Sequence, residues 1–271
     1  MLTDIHTHTR FSTDGIDTME TMVAEAERLG ITYYGISEHF DYDYLVNGIS
    51  FGDEPAAYTD AEAYFTAGRA LQKQTNLTLL LGGEFGFCEN ERAHALYREI
   101  IEKYRPDFVV NSVHTNGIYD YYFFKQYPFR PKEELYGEYL SLVRKSLDAP
   151  YPYDIVAHLG YCSRYTPYTD PLIRYEDYPD LFDDILSAVI EKGKILEVNS
   201  SSRGAQTEFL PPKDVLQRYY ALGGRAVSVS SDAHGKDRIM EKRALIVSVL
   251  KEIGFTHLTV PCRGEYKKIP L

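Results

Sequence analysis

The stretch Asp4-Ile5-His6-Thr7-His8-Thr9-Arg10-Phe11-Ser12-Thr13-Asp14 carries two histidines one residue apart and a carboxylate shortly after them. In an extended backbone, residues two apart face the same side. His6 and His8 can therefore close on one metal ion while Thr7 points away, and Asp14 can bend back across a short polar turn. The same kind of residue recurs at the ends of later apolar runs. His39 closes Tyr-Tyr-Gly-Ile-Ser-Glu-His, Glu84 follows Leu-Leu-Leu-Gly-Gly, and His114 follows Asp-Phe-Val-Val-Asn-Ser-Val. His158 follows Asp-Ile-Val-Ala, and Asp232 and His234 follow Ala-Val-Ser-Val-Ser-Ser. Of the eight histidines, only His94 and His257 lie elsewhere. Nine ligands exceed the capacity of one ion, because a catalytic zinc-like ion takes about three protein ligands plus water. Two or three divalent ions sharing a bridging carboxylate are expected. Mixed imidazole and carboxylate ligands fit Zn, Mn or Fe.

The elements that must position these residues alternate. Short apolar runs near 1–6, 32–37, 77–83, 107–113, 153–157, 194–199 and 226–231 read as strands, several without polar interruption, as suits strands buried on both faces. Between them, 18–29, 56–74, 90–104, 132–147, 179–192 and 211–222 read as helices, and 238–253 as a last one. Thr18 or Asp17 can cap the first and Gly30 can end it. Strict alternation implies a parallel sheet with right-handed crossovers. Seven repeats favour closure into an α/β barrel over an open doubly wound sheet, and in either fold the C-terminal strand ends carry the site. No Gly/Ser-rich linker or composition break divides the 271 residues, so one domain over 1–271 is expected.

The formal charge of −11 argues against a broad nucleic-acid surface, but local metals and arginines can still receive a phosphorylated small molecule. No apolar run approaches the roughly 20 residues that span a bilayer, and the first residues do not read as a signal peptide. Cys88, Cys162 and Cys262 form no CxxC pair, which points to reduced thiols in a cytoplasmic protein. The 24 tyrosines cluster at 119–122 and 151–178, where they either line a wet pocket or cover surface. The long polar and aromatic stretch after His39 is the expected place for substrate contact.

His-Thr-His at 6–8, Asp14, Ser-Glu-His at 37–39, Glu84 after Gly-Gly, Ser-Val-His at 112–114, His158 and Ser-Asp-Ala-His at 231–234 resemble, in order, the polymerase and histidinol phosphatase (PHP) superfamily. Ala-His-Leu-Gly-Tyr-Cys-Ser-Arg-Tyr and Leu-Glu-Val-Asn-Ser-Ser-Ser-Arg are most similar to its monofunctional histidinol-phosphate phosphatases. That resemblance implies a distorted (β/α)7 barrel with a trinuclear metal centre. Carried over by position, His6, His8, Glu84 and Asp232 would hold the first ion. Glu84, His114 and His158 would hold the second, and Asp14, His39 and His234 the third. Some superfamily members have histidine where this chain has Asp14. The family's phosphate-binding arginines match Arg164 and Arg203, whose planar forks suit phosphate oxygens.

The implied activity is hydrolysis of L-histidinol phosphate in histidine biosynthesis, by in-line attack of a hydroxide bridging two ions. The alternative is a PHP-type phosphoesterase acting on another small substrate, such as a nucleotide or sugar phosphate. No side chain stands out as the acid for the leaving group. Candidate contacts to the amine and imidazole of the substrate are acidic or aromatic residues in the loops after His39 and His114, such as Asp41, Asp43, Tyr119 and Tyr122.

Overall fold

The apolar runs pair into one parallel sheet in chain order. Its strands are β1 (Leu2–Asp4), β2 (Ile31–Phe40), β3 (Thr78–Gly86), β4 (Phe108–Ser112), β5 (Ile155–Val156), β6 (Ile195–Asn199) and β7 (Val227–Ser230). Every neighbouring pair is parallel, so each connection must cross over the sheet. These coordinates are a computed structural model that describes residues 1–51, 54–55, 58–126, 129–201 and 208–271.

Helices supply the crossovers: α1 (Met19–Arg28), α2 (Tyr42–Asn47), α3 (Ala61–Leu71), α4 (Glu91–Tyr104), α5 (Lys132–Ser146), α6 (Pro179–Glu191) and α7 (Lys213–Ala221), and α8 (Arg243–Ile253) follows the last strand. Helix α1 buries Met19, Met22, Val23 and Ala26, the three- and four-residue steps of one face. The Thr18 hydroxyl caps it by accepting from the Thr21 amide. Two helices begin later than their periodicity suggests. Asp60 accepts from the Ala63 amide and so starts α3 at Ala61. Met240 and Lys242 have positive φ, which confines α8 to Arg243 onward. The long loop after His39 holds α2 and a two-residue ribbon, Ser50–Phe51 against Glu54–Pro55.

The sheet curls until its edges meet. The Asp232 amide donates to His6 O at 2.8 Å, and the His8 amide to Ala233 O at 2.9 Å. These bonds join the ends of β1 and β7, giving the distorted (β/α)7 barrel. Asp4 locks the same seam: its carboxylate accepts from the amides of Ser231 (2.9 Å) and Met240 (3.0 Å). At Gly35 the strands approach so closely that a Cβ would lie 2.5 Å from Ile5 O, so only glycine fits. The C-terminal hairpin, β8 (His257–Cys262) and β9 (Glu265–Pro270), lies at the opposite end from the histidines. There Arg263 pairs with Asp107, which precedes β4, and Tyr266 with Asp154, which precedes β5.

Asp4 is buried, and its loss would leave the buried Ser231 amide and the half-buried Met240 amide without an acceptor. Asp4→Ala should lower the unfolding free energy by about 2–5 kcal/mol in a urea titration. A change under about 1 kcal/mol would show that the seam holds without this carboxylate.

Candidate metal centre and substrate pocket

All nine predicted ligands gather at the C-terminal mouth of the barrel. His6 and His8 leave β1 with ring centroids 5.1 Å apart. Thr7 turns away, its hydroxyl donating to Gly35 O at 2.8 Å. Glu84 stands at the centre, directly opposite His39 in the register of β2 and β3. Its Oε2 lies 3.2 Å from His6 Nε2, 3.5 Å from His8 Nε2 and 3.1 Å from His39 Nδ1. Its Oε1 lies 2.9 Å from His158 Nε2 and 3.1 Å from His114 Nε2. Asp232 Oδ1 is 3.3 Å from His8 Nε2. On the exposed side, Asp14 Oδ2 is 3.0 Å from His234 Nε2, and its Oδ1 is 3.9 Å from His39 Nε2.

This arrangement fits metal ions. The ligand atoms of His6, His8 and Asp232 lie within 4.8 Å of one another, as do those of His39, Glu84 and His114, and those of His8, His39 and His234. His6 Nε2, His8 Nε2 and Glu84 Oε2 are buried yet make no hydrogen bond. Buried polar atoms rarely stay without a hydrogen-bond partner unless something else binds them. The other two histidines behave differently. His94 Nε2 hydrogen-bonds Cys88 O at 2.7 Å, and His257 Nδ1 pairs with the Thr256 hydroxyl at 2.8 Å.

The charges oppose burial and balance one another. Burial alone would raise the Glu84 carboxyl, but His6, His114 and His39 hold it well below its ordinary range. Burial opposes protonation of His6 as well; Glu197, Glu84 and Asp232 outweigh it and raise the imidazole well above normal. His114 is likewise raised by Glu84 and Asp41 against burial, and His234 by Asp14. Burial also works against His39, which Asp41, Glu84 and Asp14 nevertheless raise to about 10. His8 is pushed down to about 3 by burial and by neighbouring His39 and His234, and burial lowers His158. Two ligands sit on strained backbone: His158 has φ 25° and Asp232 φ 52°, a region costly for non-glycine residues.

Behind the ligands lie carboxylates with no role in the sequence reading. Glu197 accepts from His6 Nδ1 at 2.7 Å, and Glu38 accepts from the hydroxyls of Thr9 and Ser12. Their signal was an acid inside an otherwise apolar strand, as in Ile-Leu-Glu-Val-Asn.

A cavity of about 400 Å³ opens over the centre. Arg164 lines it, buried, with Nη2 2.6 Å from Asn199 Oδ1 and Nη1 3.4 Å from Asp232 Oδ2. Its guanidinium lies 5.5 Å from the Tyr161 ring centroid. The Tyr161 hydroxyl in turn donates to Asp120 Oδ1 at 3.3 Å, while Tyr44 donates to Asp120 Oδ2 at 2.8 Å. Asp120 thus faces the pocket from the loop after β4. Burial pushes its carboxyl up. Of the expected amine contacts, Asp41 and Tyr122 line the cavity. Asp43 does not: its carboxylate fills the space beside Gly86, where a Cβ would lie 2.3 Å from it. Tyr119 is also off the wall, and Asp120 beside it faces the cavity. The clue was an acid bracketed by tyrosines in Tyr-Asp-Tyr-Tyr at 119–122. Tyrosines do both expected jobs: Tyr44, Tyr122, Tyr161 and Tyr165 line the pocket, whereas Tyr136, Tyr139 and Tyr151 are core. Arg203 lies outside the described residues. No helix among the described residues is long and apolar enough to cross a membrane.

Fold and site define a class, a (β/α)7 barrel whose strand ends gather groups of histidines and carboxylates that could hold metal ions, beside an arginine-bearing pocket. The chain belongs to the PHP domain family, whose profile matches residues 4–201. It is 32% identical over 243 residues to a protein of Clostridium acetobutylicum named "probable histidinol-phosphatase", covering 88% of this chain and 89% of the relative. A histidinol-phosphatase of Lactococcus lactis is 27% identical over 264 residues, with 94% and 92% coverage. The crystal structure of histidinol phosphate phosphatase from Lactococcus lactis, complexed with zinc, L-histidinol and phosphate, superposes with a TM-score of 0.85. It is 26% identical and covers 98% of this chain and 99% of its own.

The raised histidines predict how metals enter. Neighbouring carboxylates raise His6, His39, His114 and His234 in the metal-free protein, and ligation requires the neutral imidazole. Zinc or manganese binding should therefore release protons and tighten as pH rises through neutrality. Calorimetric titration in two buffers of different ionisation enthalpy checks this; binding with no net proton release would contradict it.

Proposed function

We propose that this chain hydrolyses L-histidinol phosphate to L-histidinol and inorganic phosphate, a step of histidine biosynthesis. The carrying observation is that one cavity holds the predicted metal ligands, the Arg164 guanidinium and the Asp120 carboxylate, with Tyr161 between the last two. Such a pocket matches one small molecule bearing both an anionic phosphate and a cationic amine. The Lactococcus lactis relative, whose structure holds L-histidinol and phosphate, supports the same substrate.

In this reading His6, His8, Glu84 and Asp232 would hold one divalent ion. Glu84, His114 and His158 would hold a second, and Asp14, His39 and His234 a third, the ions being zinc, manganese or iron. When bound, such ions supply charge neutralisation for the phosphate and lower the pKa of water. The protein's own groups do the positioning. Arg164 exchanges Asn199 and Asp232 for phosphate oxygens, which its planar fork pairs two at a time. Arg203, four residues beyond Asn199, is the second arginine of the reading. Asp120 accepts from the substrate ammonium. The tyrosine walls exclude water, which strengthens both charged contacts. The apolar core that runs from Ile5 to Ile269 supports one PHP-type barrel domain over the chain. The three free cysteines suit a reducing, cytoplasmic setting.

With metal-loaded protein, phosphate release from L-histidinol phosphate should far exceed that from p-nitrophenyl phosphate, a sugar phosphate, a nucleotide and a phosphodiester, compared by kcat/KM. Equal turnover across this panel would move the substrate elsewhere and leave the site intact. Arg164→Met should lower kcat/KM by roughly 10²–10³-fold, as when one charge-stabilising donor is lost. Asp120→Asn should shrink the preference for L-histidinol phosphate over its analogue lacking the amine. An unchanged ratio would remove Asp120 from amine recognition.

A further inference from the structure

Glu197 stands in the middle of β6, fully buried, with its side chain inside the barrel mouth. Three donors from three strand ends reach it. His6 Nδ1 lies 2.7 Å from Oε1. The His158 amide donates to Oε2 at 2.8 Å, and Asn199 Nδ2 donates to the same oxygen at 3.0 Å. The amide N–H and the Asn199 NH2 can only donate, so Oε2 must accept; Oε1 of the carboxylate can also only accept, so His6 Nδ1 donates to it. A carboxylate does this and an amide cannot.

The consequences reach most of the centre. In the neutral imidazole that a metal requires, an acceptor at Nδ1 places the His6 proton there and leaves the Nε2 lone pair facing Glu84 and Asp232. The bond to the His158 amide holds that residue at its positive φ, which sets where its imidazole meets Glu84. Through Asn199 the network continues to Asp232 Oδ2 at 3.3 Å and to the guanidinium of Arg164. We propose that Glu197 is the positioning residue of the metal centre: it fixes the Nε2-ligating tautomer of His6 and the backbone of His158, and couples both to Asp232 and Arg164. It touches neither substrate nor ion. The inference rests on His6 and His158 being ligands.

The test is metal binding measured apart from turnover. Glu197→Gln keeps the size of the side chain but turns an NH2 toward either His6 Nδ1 or the two donors on the other arm. Chelator competition should show metal affinity about 10–100-fold weaker than in the unaltered protein. Saturating metal should recover most of kcat, and a Glu197→Asp variant, which keeps two acceptors on a shorter arm, should bind more tightly than Glu197→Gln. Wild-type affinity in Glu197→Gln would overturn the proposal. If the unaltered protein itself binds no ions, the ligand reading fails, and that is a different outcome. Should the variant not fold, nitrogen NMR of the zinc-loaded unaltered protein decides the matter. His6 is expected to carry its proton on Nδ1 and the metal on Nε2, and ligation through Nδ1 would overturn the proposal.

Discussion

The structure depends on one buried carboxylate. Glu84 is almost wholly withdrawn from water, and five imidazoles approach its two oxygens. A lone charge there would cost several kcal/mol. It is tolerated because the surrounding rings supply the opposite charge. Everything else at the mouth follows from keeping that balance: the strand that delivers Glu84, the register that sets it beside His39, and the seam that brings β1 and β7 round to it.

A parallel barrel meets this demand with little rearrangement. Its strand ends point into one space, so residues far apart in the chain become neighbours without long loops. Closure is the costly part. The seam relies on two backbone hydrogen bonds beyond the strands and on Asp4, and it places Asp232 at positive φ. Strain of this kind persists where surrounding contacts over-determine a residue. Here the amide of Asp232 is pinned to His6 O, and its carboxylate to Arg164 and Asn199.

Around this charge-dense centre the loops build a different surface. Tyrosine rings give an apolar body with a hydroxyl tip. Tyr44 and Tyr161 use those tips to hold Asp120 in the wall, while the face of Tyr161 receives Arg164. The pocket therefore places a guanidinium and a carboxylate around one tyrosine ring beside the cluster of histidines.

The sequence by itself determined the alternation of strand and helix and marked the nine candidate ligands that the fold brings together. Both are local patterns. Period-two spacing fixes that His6 and His8 share a face whatever the rest does, and apolar runs ending in histidine or glutamate mark strand ends. Element limits were less legible at α3 and α8, where Asp60 as a cap and the positive φ of Met240 and Lys242 shifted the start. Only the tertiary structure decided which acids matter behind and beside the centre. Glu197, Asp120 and Asp43 are all acids in or near apolar or aromatic stretches, and nothing local tells them apart. Glu197 meets His6 only because β6 and β1 curl to the same mouth. Asp120 faces the cavity and Asp43 does not, because one loop returns over the mouth and the other tucks its carboxylate beside Gly86. Such partners are separated by tens to hundreds of residues, and barrel closure brings them into contact.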